Sequence, residues 1–222
     1  MDSFYYLYMD KVIIADDYIF MFDFGHGTRQ YTAGKRSPDQ TLFEGEWNRE
    51  VGRRIVDALR ELGLDCRILV PEDEDISLQE RCNRANKLMK ENPNKKCRYI
   101  SIHINAGPGS GWSDATGMSV YVSRNASAES VRLAHCIYDA AEEFKLKGNR
   151  SVPSERVWRA NFKVLVGTNM PAVLVENLFM TNKKEVEFLK SENGKNIIVN
   201  MYTVAICKYF GVPYAVCEAK VS

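Results

Sequence analysis

Apolar residues change their period several times along this chain, and each change marks an element. Residues 18–24, "YIFMFDF", form a short apolar run stopped by glycine, the pattern of a buried strand. Phe43, Trp47, Val51, Ile55 and Leu59 then recur every four residues, which puts one apolar face on a helix that Gly63 ends. "LDCRILV" at 64–70 predicts a second strand. Strand, helix and strand in this order make a βαβ unit, and therefore a parallel sheet.

The pattern continues beyond residue 70. Ser77 and Glu80 sit at capping-box spacing ahead of a helix expected to reach about Asn92, where Pro93 follows. "CRYISIHIN" at 97–105 is the next strand, and "MSVYVS" at 118–123 alternates as a half-buried strand does. A helix is expected over about 128–145. "KVLV" (163–166) and "PAVLVEN" (171–177) are expected as the last strands, with a closing helix over 192–210. The fold class is thus α/β: a single domain with a mostly parallel, twisted sheet of about six strands flanked by helices, covering 18–212. Residues 1–17 are expected as an N-terminal extension and 213–222 as a C-terminal tail.

Composition narrows the function by exclusion. With 222 residues and 45% hydrophobic content, the chain buries one large core. Thirty Lys plus Arg against 29 Asp plus Glu leave a net charge of +1, without the basic surface that nucleic acid or an anionic membrane attracts. Neither partner is expected. The six cysteines (66, 82, 97, 136, 207 and 217) contain no CxxC pair, and several lie in apolar stretches, so buried reduced thiols are expected. The first twenty residues begin with an acid and lack both a basic n-region and an unbroken apolar h-region, so no secretory signal is expected. No run of about 18 apolar residues predicts a transmembrane helix.

The chemistry-bearing residues fall at matching places. His26 follows the first strand between Gly25 and Gly27, His103 lies near the end of the third, and Glu176 ends the last. In an open parallel sheet such strand ends share the edge where ligands bind. Glu44 lies in the first turn of the helix after the His26 loop and is expected to face the same edge. Two imidazoles and a carboxylate suit zinc with a fourth position left to water, and a further carboxylate at Glu176 can move the protons of a hydrolysis. Gly25 and Gly27 are expected to let the backbone pass close to the metal. Asp23 is a candidate to support the ligands from behind.

Each residue also has a plain reading. His26 is equally a loop histidine, His103 a hydrogen-bonded core histidine, and Glu44 an acid favoured by the helix macrodipole. A carboxylate ending "PAVLVE" is costly to bury unpaired, which favours function for Glu176. His135, in "RLAHCIYDA", is expected as a packing or surface residue, and Arg81 and the charges of "KKEVEFLK" on solvated helix faces.

Taken together, five segments resemble the zinc-dependent N-acetylmuramoyl-L-alanine amidases (amidase type 3 cell-wall hydrolases), in that family's order. They are "DFGHGT", "EGEWN", "EDEDISLQERCNRAN", "SIHINA" and "MPAVLVENLFMTN", and the likeness runs over about residues 20–212. The resemblance implies a phosphorylase/hydrolase-like fold and a zinc ion (Zn2+) held by His26, Glu44 and His103. It implies Glu176 as the catalytic residue in cleaving the amide between N-acetylmuramic acid and the L-alanine of the stem peptide. Peptidoglycan is then the partner, met as a monomer.

The match has departures. Phe24 replaces a usual proline, Asn177 and Leu178 stand where the family tends to have an apolar residue and glycine, and Glu46 competes with Glu44. The long segments "GPGSGWSDATG" and "RSVPSERVWRANF" are expected to alter the substrate groove. Two alternatives stay open: a catalytically inactive peptidoglycan-binding protein, and a zinc peptidase acting on another amide of the stem peptide. Without a secretory signal, a phage-type endolysin, made in the cytoplasm and acting on the wall after release, is expected beside a host autolysin lacking its leader.

Overall fold

The computed structural model describes residues 16–212. Its elements, in chain order, are β1 (Tyr18–Phe24), α1 (Glu44–Glu61), β2 (Cys66–Ile68), α2 (Leu78–Glu91), β3 (Lys96–Asn105), β4 (Ser119–Val122), α3 (Ala128–Glu143), β5 (Trp158–Arg159), α4 (Lys163–Val166), β6 (Ala172–Phe179), α5 (Lys183–Lys190) and α6 (Glu192–Phe210). Most of the expected N-terminal extension and the whole of the expected C-terminal tail lie outside the described residues.

One sheet holds the six strands in the order β2-β1-β3-β6-β4-β5. Every pairing is parallel except that of β4 with β6. The strands at its centre are covered on both faces, which is why β1 is an unbroken apolar run rather than an alternating one. Phe20, Phe22 and Phe24 point to the face packed by α1, α3 and α6, while Ile19 and Met21 point to the face packed by α2 and the short α4. Each of these fully buried side chains stabilises the fold by about 1.5–3 kcal/mol relative to exposure.

The order of the strands creates the crevice. The chain leaves β1 through α1 to reach β2 on one side, then returns through α2 to β3 on the other. Right-handed crossovers in opposite directions put α1 and α2 on opposite faces, so the loops after β1 and β2 part from each other. Beyond β6, β4 runs backwards and so starts at this same carboxyl edge. The helix α3 then climbs back from the amino edge, and Met118 N–H at the start of β4 donates to Leu146 O, just past α3, at 2.8 Å.

Local signals account for most element ends. The Ser77 hydroxyl caps α2 by accepting from Glu80 N–H at 3.2 Å, but the Glu80 carboxylate turns to Arg84 at 3.1 Å, so only half of the capping box forms. The predicted strand at "KVLV" is instead the one-turn helix α4. Gly167 N–H donates to Lys163 O and the Thr168 hydroxyl to Val164 O, which closes a helical turn around an apolar run too short to declare its period. β5, two residues long, was beyond the reach of any periodicity. The five described cysteines are free, in keeping with the expected reduced thiols.

Arg81 corrects a sequence expectation most sharply. Far from being solvated, it is 1% exposed and inserts between α2 and the sheet. One guanidinium nitrogen meets Asp23 Oδ1 and Phe24 O, each at 2.6 Å, while Asp23 Oδ2 accepts from the Ser101 hydroxyl at 2.7 Å. Burial pushes the Asp23 carboxyl up, but Arg81 and Ser101 outweigh it and hold it below the usual carboxylate range. On α2 the buried line runs Arg81, Cys82, Ala85, so the helix spacing that looked polar at one position is apolar around it.

This pair can be tested. Arg81→Met leaves Asp23 as a lone buried carboxylate and should cost about 3–5 kcal/mol in urea unfolding. Adding Asp23→Asn should recover part of that loss, and a neutral effect of Arg81→Met would remove the pair from the stability of the fold.

Candidate functional site

Three side chains reach the crevice from three elements. His26 lies in the turn after β1, Glu44 is the first residue of α1, and His103 is near the end of β3. Their nitrogen and oxygen ligand atoms all lie within 4.8 Å of one another. His26 Nε2 is 3.5 Å from Glu44 Oε2, and His103 Nδ1 is 3.0 Å from Glu44 Oε1. The imidazole planes cross at 90° with centroids 5.1 Å apart. Glu46 instead pairs with Arg29 at 3.0 Å and is not among the three grouped side chains.

Charges in this cluster are mutually dependent. Burial, aided by the charges of His103 and Lys35, pushes the His26 imidazole down to about 4, with the field of Glu44 only partly opposing. Burial acts the same way on His103, but the hydrogen bond and charge of Glu44 reverse it and raise that imidazole. For Glu44, 2% exposed, burial is outweighed by the two histidines and by Ile104 N–H, which donates to Oε1 at 3.0 Å, so the carboxyl is lowered. A helix N-terminus also favours the ionised acid.

The glycines at 25, 27 and 45 leave no room for a side chain. A Cβ on Gly25 would stand 2.2 Å from His103 Cε1, one on Gly27 2.7 Å from Asp75 N, and one on Gly45 1.8 Å from Gly27 O. His26 itself is left-handed, φ 61°, which costs a non-glycine residue about 1–2 kcal/mol. Buried Arg49 holds that conformation: one guanidinium nitrogen donates to His26 O at 2.8 Å and Gly45 O at 2.9 Å, and Nε donates to Glu72 O at 2.7 Å. Asn48 adds a bond to Gly25 O at 3.1 Å. Sequence reasoning missed Arg49; its one signal is its position a turn after Gly45 on a helix face otherwise buried.

Glu176 stands beside His103, its register partner in the β3–β6 pairing. Its Oε2 is buried without a hydrogen-bond partner among the described residues. Burial raises the carboxyl to about 7, against the pull of His103 and with the help of Glu44. Such a group accepts or gives a proton near neutrality. The strand then bulges, with Leu178 left-handed at φ 66°, which is how a non-glycine fills the family's usual glycine position.

Glu185 of α5 fixes this bulge, and it too departs from the expected solvated face. Its two oxygens accept from Gly117 N–H and Phe179 N–H, each at 2.7 Å. Burial raises its carboxyl to about 7 despite those donors. His135 is a half-exposed helix residue whose Nε2 is 2.7 Å from Glu155 O, remote from the cluster in role. A cavity of about 270 Å³ adjoins the cluster on the α2 side, lined by Asp23, Gly25, His26, Asp75, Arg81 and His103 among others.

Known proteins resemble this chain in sequence and in fold. Residues 20–208 match the family described as N-acetylmuramoyl-L-alanine amidase. An uncharacterised protein of Bacillus subtilis, YqiI, is 28% identical over 189 residues, 85% of this chain and 82% of its own. The endolysin of Bacillus phage SPP1 is 30% identical over 143 residues, 64% of this chain, and the match spans about half (49%) of the endolysin. The crystal structure of an N-acetylmuramoyl-L-alanine amidase from Clostridium difficile 630 superposes with a TM-score of 0.72 at 24% identity, covering 86% of this chain and 96% of that one. The matched segment takes in His26, Glu44, His103 and Glu176 alike, so the chain belongs to the N-acetylmuramoyl-L-alanine amidase family of peptidoglycan hydrolases.

Proposed function

We propose that residues 18–212 form a catalytic domain that uses zinc to hydrolyse the amide between N-acetylmuramic acid and the L-alanine of the stem peptide. The single observation that carries this reading is the buried, unpartnered carboxylate of Glu176 next to a His, Glu, His cluster. One ligand atom from each of His26, Glu44 and His103 lies within 4.8 Å of the others, close enough for the three to converge on one ion. Two neutral imidazoles and one carboxylate are also a normal donor set for this ion. Bound there, zinc polarises a carbonyl and makes water acidic enough to react near neutral pH.

The chain's own residues supply the rest. Glu44 and the histidines hold their positions through Arg49, Asn48 and the glycines. Glu176 takes a proton from the attacking water and returns it to the departing alanine nitrogen, so one carboxyl serves both half-reactions. Its Oε2 has no hydrogen-bond partner among the described residues and is therefore available to both. The substrate lies across the carboxyl edge, in contact with the wall polymer, which is consistent with a family of cell-wall hydrolases.

Glu176→Gln should bind zinc stoichiometrically and lose about 10²–10⁴-fold in turnover, measured by release of new alanine amino termini without new reducing ends. Unchanged turnover would remove Glu176 from the mechanism. His103→Ala should lose the metal, and Gly25→Ala should weaken metal binding by displacing the His103 ring; a fully zinc-loaded His103→Ala protein would refute the donor set.

In the metal-free protein a further sign follows. The folded carboxyl of Glu176, near 7, lies above the unfolded value of about 4.3, so its contribution is fully present below about pH 4 and lost as pH rises through 7. Metal-free Glu176→Gln should match the wild type in stability at pH 4 and exceed it at pH 8. Denaturant midpoints at the two pH values check this.

A further inference from the structure

Across the sheet, the catalytic groups stand in a line. His26 follows β1, His103 is on β3, and Glu176 is on β6, with β4 next in order. Ser119 of β4 is the register partner of Glu176, so their side chains share a face. Arg150 donates through its guanidinium to the Ser119 hydroxyl. The same guanidinium lies over the rings of Trp158 at 5.4 Å and Phe179 at 5.7 Å. No carboxylate among the described residues pairs with it, yet its field reaches the Glu176 carboxyl. The other cation felt there, Lys35, belongs to the loop before α1 on the metal-cluster side.

Arg150 is fixed in place before any substrate arrives. Asn149 and Thr116 exchange two bonds, Thr116 N–H to Asn149 Oδ1 at 3.0 Å and Asn149 N–H to Thr116 Oγ1 at 2.9 Å. Gly148 passes so close to Thr116 that a Cβ on it would stand 2.2 Å from Thr116 O. The aromatic rings and Ser119 then hold the guanidinium itself. A cation held this firmly loses little freedom on binding an anion.

Resting on the amidase reading above, the line of groups fixes the polarity of the substrate. The scissile carbonyl belongs over His26, Glu44 and His103, and the departing nitrogen at Glu176, which protonates it. The amine half therefore continues over β6 towards β4. Neighbouring strands are about 4.7–4.9 Å apart and successive Cα atoms 3.8 Å, so Arg150 falls level with the first or second residue past the cleaved bond.

We propose that Arg150 is a specificity-determining residue that binds a free carboxylate on the amine half of the substrate, carried by the residue next to L-alanine. The guanidinium fork suits a planar carboxylate, and the nearby rings shield the pair from water.

The test separates binding from turnover. Zinc-loaded Glu176→Gln protein is titrated by calorimetry with two synthetic muramoyl-L-alanyl peptides that differ only in the next residue, D-glutamate or its α-amide. The acid should bind about ten- to a hundredfold more tightly. Arg150→Met, which keeps the aliphatic stem on the rings, should shrink that preference to less than threefold in the same background. Should Arg150→Met fail to fold, Arg150→Lys, which keeps the charge but not the fork, must show a preference between the two. Equal affinities of the Arg150 protein for acid and amide, or an undiminished preference in Arg150→Met or Arg150→Lys, overturns the proposal. A wild-type enzyme that cleaves neither peptide at the lactyl amide while the preference stands overturns the amidase reading and leaves the role of Arg150 in place.

Discussion

The parallel pairing of β3 with β6 is the constraint on which the site depends. It sets His103 level with Glu176, so that an imidazole of the His, Glu, His cluster and a buried carboxylate share one face of the sheet at one height. A slip of one residue in either strand would turn one of them to the opposite face. The register is secured by apolar side chains that alternate into two separate clusters, so the chemistry is anchored by packing that touches no substrate. Beneath the histidine, Asp23 and Arg81 add a charged brace between the sheet and α2.

Around this pairing, several individually unfavourable features are held in place by specific partners. His26 is left-handed, Glu176 lacks a hydrogen bond, and Arg81 and Asp23 are charges in the core. Such strain persists when the surroundings over-determine it. Arg49 does this for His26 by holding carbonyls of the β1 loop, the α1 terminus and the segment after β2. Glu185 does the same for the bulge after Glu176. Both are charged residues acting through main-chain groups.

How far the sequence reveals this differs by kind of residue. The α/β architecture, the parallel sheet and the positions of His26, Glu44, His103 and Glu176 follow from apolar runs, glycine stops and motif spacing, and the structure brings all four together. Arg81, Arg49 and Glu185 were not legible, because a charge on an amphipathic helix looks solvated until the neighbouring carbonyl or carboxylate is known. The "KVLV" run failed for a different reason: four apolar residues fit a strand and a helical turn equally well. The two-residue β5 has no local signal at all. The glycines flanking His26 were read correctly as a need for space, but the space serves the His103 ring and the adjoining loop backbone.

The reversed direction of β4 also bears on how this surface can change over time. In a wholly parallel sheet the loop after a crossover helix would end at the amino edge, away from chemistry. Here the reversal keeps the segment after β3, 106–117, at the carboxyl edge until β4 begins and brings 144–157 to that edge as well. Neither carries a metal-cluster residue, and Gly109 and Gly111 have open space around them. Insertions and substitutions in these segments can therefore remodel what the edge recognises while the cluster and the β3–β6 register stay untouched. One strand running backwards separates the inheritance of the reaction from the inheritance of its specificity.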